Sequence, residues 1–226
     1  MKHFFSKVFA ILIICISTLS AFAVEYRYGK EARVLYDLGL YKGVSKIAYV
    51  PDLRSNLTRE EAVTILIRLF GQKEDAHEMT SEQMDDALKK FADAENISNF
   101  AREEVAYATI KGYVKGIEVG NKIYFNPRGY LKGLDYASLI LQELGITDFK
   151  YYNAIEKLRE EGVISKEVNF SPKEIKRDDV VGISYRVLGA KADNGKTVLE
   201  NLVDLGKVQK DEAEKFVLME LKESDD

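Results

Sequence analysis

A carboxylate stands at the fourth position of a fourteen-residue block that occurs three times without a gap. It is Glu61 in residues 58–71, Asp135 in residues 132–145 and Asp179 in residues 176–189. In the first block Thr58 precedes Glu61 by three residues, the spacing of a capping box, where hydroxyl and carboxylate satisfy free amides at a helix start. Arginine holds the second position twice, as Arg59 and Arg177, while the middle block has Lys132 and Gly133 at its first two positions. A helix cap requires no arginine, so Arg59 and Arg177 by themselves read as solvated surface charges. Little else in the chain has the types and spacing for chemistry. Cys15 is the one cysteine and His3 and His77 are the two histidines. Nucleophile–histidine and zinc mechanisms thus find no constellation. Asp85-Asp86 and Asp178-Asp179 lack the spacing of a calcium loop, and no glycine-rich phosphate cradle follows a strand. A carboxylate pair of the glycoside-hydrolase kind stays open on sequence alone, although caps and solvated faces explain the acids better. The expectation is a protein that is no enzyme, with no catalytic residue, no metal and no cofactor.

The elements that must position these residues follow from apolar spacing. The sixth, tenth and thirteenth positions of the block are Val63, Ile67 and Phe70, then Ala137, Leu141 and Leu144, then Val181, Tyr185 and Leu188. That spacing draws one face of a helix, and the closing Gly71, Gly145 and Gly189 are expected to end each helix in the left-handed conformation. A shorter helix precedes each block. Ala32 and Leu35 lie at matching offsets from Gly39, Val105 and Ala108 from Gly112, and Ile155 and Leu158 from Gly162. Between short and long helices runs an extended piece with an aromatic and a proline: Tyr49 and Pro51, Tyr124, Phe125 and Pro127, Phe170 and Pro172. These aromatics are expected to plug the core. A single helix–loop–helix unit has too narrow an apolar face to fold alone, so the copies should stack.

Residues 1–23 stand apart: Lys2 and Lys7, an apolar run and Ala21-Phe22-Ala23 form the pattern of a secretory signal peptide cut before Val24. Cleavage would remove Cys15 and His3 and leave 31 basic residues against 37 acids, a net charge of −6 rather than −4. That balance argues against nucleic-acid binding, which needs a basic surface. No later stretch is long and apolar enough to span a bilayer, so no membrane span is expected after cleavage. The rest divides into a first repeat (24–71), a polar insertion (72–90), a second repeat (91–145), a third repeat (146–189) and a C-terminal helical half-repeat with an acidic tail (190–226). Residues 81–90 are expected to add a surface helix within the insertion, where His77 should be exposed and inert.

The order Gly39-Leu-Tyr-Lys-Gly43, then Tyr49-Val-Pro51, then Leu57-Thr58-Arg59-Glu60-Glu61-Ala62 resembles the S-layer homology (SLH) domain, whose signature is a Thr-Arg-Ala-Glu block opening the second helix. Phe91-Ala92-Asp93 resembles that family's start, where Trp-Ala is common. The resemblance runs over residues 25 to 190 in three divergent copies. It implies a mainly α fold, three repeats packed as a pseudo-threefold bundle with a C-terminal helical extension. It also implies a secreted protein held at the cell wall and cell surface by binding secondary cell-wall polysaccharide or a peptidoglycan-linked glycan, with other envelope proteins as further partners. The signature arginine would meet an anionic sugar group in a groove between copies, a guanidinium fork being suited to a carboxylate. Carried over residue by residue, the ligand-binding set is Thr58, Arg59 and Glu61, then Lys132, then Arg177 and Asp179, with Asp93 either a groove residue or an N-terminal helix charge. Gly133 replaces the arginine of the middle copy and the chain has no tryptophan, so at most two grooves look competent. The alternative is a degenerate array that keeps the fold as a structural or protein-interaction module without glycan binding.

Overall fold

The computed structural model of the protein describes residues 26–45, 47–166 and 168–224. The expected signal peptide, with Cys15 and His3, and the last two residues of the acidic tail lie outside the described residues. The protein is mainly helical. The three blocks form long helices, α2 (Arg59–Leu69), α6 (Gly133–Glu143) and α8 (Arg177–Val187). The shorter helices ahead of them are α1 (Gly29–Asp37), α5 (Arg102–Ile110) and α7 (Ala154–Glu160). The polar insertion folds as α3 (Lys73–His77) and α4 (Ser81–Leu88), and the chain closes with α9 (Val198–Asp204) and α10 (Lys210–Ser224). In the second repeat the extended connection becomes an antiparallel hairpin of β1 (Ile117–Val119) and β2 (Lys122–Tyr124).

The packing order is circular. Each short helix packs on the long helix of the preceding copy, α5 on α2, α7 on α6 and α1 on α8, and α5 packs on α3 and α4 of the insertion as well. The loops ahead of the long helices close the same circuit through isolated bridges, Thr58 with Tyr130, Lys132 with Glu174, and Asn56 with Lys176. First-turn amides are satisfied across copies too. Arg59 N donates to Gly129 O (2.9 Å), Gly133 N to Lys173 O (2.9 Å) and Arg177 N to Ser55 O (3.0 Å). A helix start leaves such amides without intrahelical partners, so three loops and three helix ends complete one another.

The apolar positions read from the sequence are buried, with Phe70 partly covered. Helix α2 is apolar on more than one side, and it separates two core clusters. Ala62, Leu66 and Leu69 join the larger core with α1, α6, α7, α8 and α9, whereas Val63 and Ile67 face a smaller one built by α3, α4, α5 and Phe125. Phe125 and Phe170 plug the core as expected, while Tyr49 is only partly covered. Gly71 and Gly145 have the expected positive φ. Gly189 does not. There the chain continues in a tight turn, Ala190 N donating to Val187 O, because the start of α9 supplies the missing donor when Leu199 N bonds to Leu188 O (3.0 Å). Among the described residues, no helix is long and apolar enough to cross a membrane.

Candidate functional site

The carboxylates at the fourth block position meet cations from outside their own block. Arg59 of the first copy donates through Nη1 to Asp135 of the second (3.1 Å) and through Nε to the Phe125 carbonyl (2.9 Å). Arg177 of the third copy donates through Nη2 to Glu61 of the first (2.7 Å), with Asp52 3.9 Å from its Nε. Symmetry would have the second copy reach Asp179 from position 133, where glycine stands. A Cβ there would sit 1.9 Å from the Ser171 carbonyl oxygen, so the approaching loop leaves no room for a side chain. Arg27, just ahead of α1, pairs with Asp179 instead, while the Tyr28 amide donates to Asp178 (3.0 Å). The ring of three ion pairs is complete, with one cation from outside the blocks.

Burial separates the two block arginines. The Arg177 side chain is 6% exposed, and its Nε has Asp52 as an ionic neighbour but no hydrogen-bond partner, so it clasps the bundle and presents little to solvent. The Arg59 side chain is 16% exposed and lies in the wall of a groove of about 480 Å³ between α2 and α6. Phe125, Phe149, Tyr113 and Tyr151 supply aromatic walls, and Lys115, Asp135, Ser138 and Gln142 supply polar ones. The Tyr151 hydroxyl donates to the second Asp135 oxygen (2.9 Å). Burial and the negative charge of Asp135 push that phenol up to about 12, so it stays a donor. Arg59 uses two donors on Asp135 and Phe125 and keeps further N–H groups for whatever enters.

The other expected site residues take different places. Thr58 and Glu61 form the full capping box, Glu61 Oε2 accepting from the Thr58 amide (2.9 Å) and hydroxyl (2.8 Å). Burial raises the Glu61 carboxyl, but the Thr58 bonds and the Arg177 guanidinium outweigh it and hold it below the ordinary carboxylate range. Asp179 caps α8 by accepting from Lys176 N (3.0 Å). Lys132 is exposed at the start of α6 and offers no side-chain cap there. Asp93 stands at the N-terminus of a single 3-10 turn (Ala94–Asn96), but its side chain makes no cap bond there and does not line the groove. It is buried and accepts from the Phe125 and Asn126 amides (both 2.8 Å), fixing the loop whose carbonyl holds Arg59. A carboxylate against an exposed loop has no periodic signature, which is why the sequence hid this role. His77 is exposed as expected but not unpartnered, its Nδ1 lying 3.0 Å from Glu103. Tyr113, Lys115, Phe149 and Tyr151 were missed because they stand outside the blocks, and only their aromatic or basic type near a helix end could have signalled them.

Over 99 residues, 44% of its length, the chain is 32% identical to the surface-layer 125 kDa protein of Lysinibacillus sphaericus. The match spans 7% of that relative's length. No protein-family model matches the chain. The relationship that stands is therefore one to a surface-layer protein over part of the chain.

Proposed function

We propose that the protein is a cell-surface binding module that holds an anionic cell-wall glycan in the groove between α2 and α6. The observation that carries this reading is the juxtaposition in one cleft of Arg59, Lys115, Tyr151 and Phe149 with the polar side chains of Ser138 and Gln142. Aromatic faces suit sugar rings, and a guanidinium that retains free donors suits a carboxylate on a sugar. Partial similarity to a surface-layer protein supports the cell-surface setting, and secretion through a cleaved leader belongs to the same reading. Glycan binding here takes one groove rather than three, because Arg177 is covered and Gly133 has no side chain. Catalysis plays no part.

The test is to sediment the mature protein with purified wall sacculi before and after their anionic polymer is stripped. Retention that depends on the polymer, and that Arg59→Ala lowers by roughly tenfold as expected for one charge-assisted bond, supports the proposal. Equal recovery in the supernatant under both conditions overturns it. A second reading is favoured by the saturation of Glu61, Arg177 and Asp179 in internal pairs. In it the array is a structural or protein-interaction module of the envelope, and wall retention would survive Arg59→Ala.

A further inference from the structure

Two buried acceptors near the groove lack donors, and they face the same pair of side chains. Gln72, just after α2, donates through Nε2 to Glu143 Oε2 at the end of α6 (2.7 Å). The remaining oxygens of both groups, Gln72 Oε1 and Glu143 Oε1, are buried and without a partner. Had Glu143 been ionised, both of these oxygens would be left without a donor, the costly arrangement for buried polar groups. One proton on Glu143 Oε1 removes both defects, since it can donate to Gln72 Oε1 and close a two-bond carboxyl–amide ring. We propose that Glu143 is held as the neutral acid, paired with Gln72 through two hydrogen bonds, and that this pair positions Tyr113 in the wall of the groove as a protonation-dependent latch.

The groups around the pair fit a neutral acid. Tyr113, just past the end of α5, and Lys111 both lie close enough to lower the Glu143 carboxyl, Lys111 through its positive charge. Tyr107 on α5 faces the carboxyl as well and donates to Asp75 of α3 (3.4 Å), which adds negative charge on that side. Burial pushes Glu143 up to about 7 against the lowering effects of Gln72, Tyr113 and Lys111. The carboxyl is thus raised above its unfolded value, so its contribution is present below the ordinary carboxylate range and is lost as pH rises through about 7. Tyr113 lines the groove beside Gln142, so losing the latch would release one wall. Only this last link to ligand retention rests on the wall-binding reading; the pairing itself does not.

Carboxyl-detected NMR titration of the ¹³C-labelled mature chain tests the pairing without any ligand. One glutamate signal should titrate near 7, vanish in Glu143→Gln, and share its midpoint with the Tyr113 ring signals. Glu143→Gln supplies an amide N–H where the acid supplied O–H, so it should match the natural protein's melting temperature below the ordinary carboxylate range and exceed it increasingly as pH rises through about 7. Glu143→Ala should fall below the natural protein at acidic pH. A Glu143 midpoint in the ordinary carboxylate range, or a Tyr113 ring indifferent to it, overturns the latch. Sacculi at pH 6 and pH 8 then test its reach: retention of the natural protein should drop by about fivefold, the scale of a modest coupling, relative to Glu143→Gln. The same drop in both forms overturns the coupling to the groove. If neither form sediments at either pH, the wall-binding reading falls, while the titration still decides the pairing.

Discussion

At Glu61 three donors converge, the Thr58 amide and hydroxyl and the Arg177 guanidinium. A helix cap and an inter-copy clasp therefore share one carboxylate, and their energies separate by what each deletion leaves behind. Thr58→Ala removes a cap and should cost about 1 kcal/mol in denaturant unfolding. Glu61→Ala strands the covered Arg177 charge as well and should cost on the order of 3 kcal/mol, more than Arg177→Ala, which leaves behind a partly exposed carboxylate. Equal costs for the two partners would show that Arg177 finds water or another acceptor. Because the Glu61 carboxyl is held below its ordinary value, its contribution is complete above the ordinary carboxylate range and lost as pH falls through the lowered value. Glu61→Gln should accordingly flatten the acid limb of the stability profile, measured as denaturant midpoint against pH. The cap was legible from Thr58-x-x-Glu61. The clasp was not, since 116 residues separate Glu61 from Arg177.

Among the elements, α6 departs most from its counterparts. Helix α2 starts on a side-chain cap, while α6 starts at Lys132 and relies on the Lys173 carbonyl of the third copy's loop. That loop comes so close that Gly133→Ala would drive a Cβ into the Ser171 carbonyl. A backbone clash of this kind should cost roughly 1–3 kcal/mol and lower the melting temperature visibly. An unchanged melt would mean that the loop yields at no cost. Restoring the signature by Gly133→Arg should therefore destabilise the protein rather than open another groove. Helix α4 carries a second capping box, Thr80 with Gln83. The sequence placed a surface helix here, and its Leu88 proves to be buried in the smaller core.

For the molecule as a whole, circular packing makes the first helix a structural neighbour of the last long one. Tyr28 seats its ring against Gly182, where any Cβ would lie 2.4 Å from ring atoms, and Ala32 and Leu35 are buried in the larger core. Deleting residues up to 43 should therefore bare α8 although more than a hundred residues separate them in sequence. The melting temperature should fall by roughly 10 °C or more, given a few degrees per kcal/mol at this size. A truncated chain that melts with the full one would show that α1 does not close the circuit. The sequence by itself determined where the three long and three short helices lie, because burial on one face forces apolar residues into a 3.6-residue rhythm that any reader of the chain can count. It also determined the cap at Thr58 and the glycine stops at positions 71 and 145, each a local effect within one turn. Which long helix each short helix covers, which arginine is sealed and which lines a cleft, and why Asp93 and Glu143 matter were decided only by tertiary structure. Those outcomes depend on distances between residues far apart along the chain, and local periodicity carries no information about them.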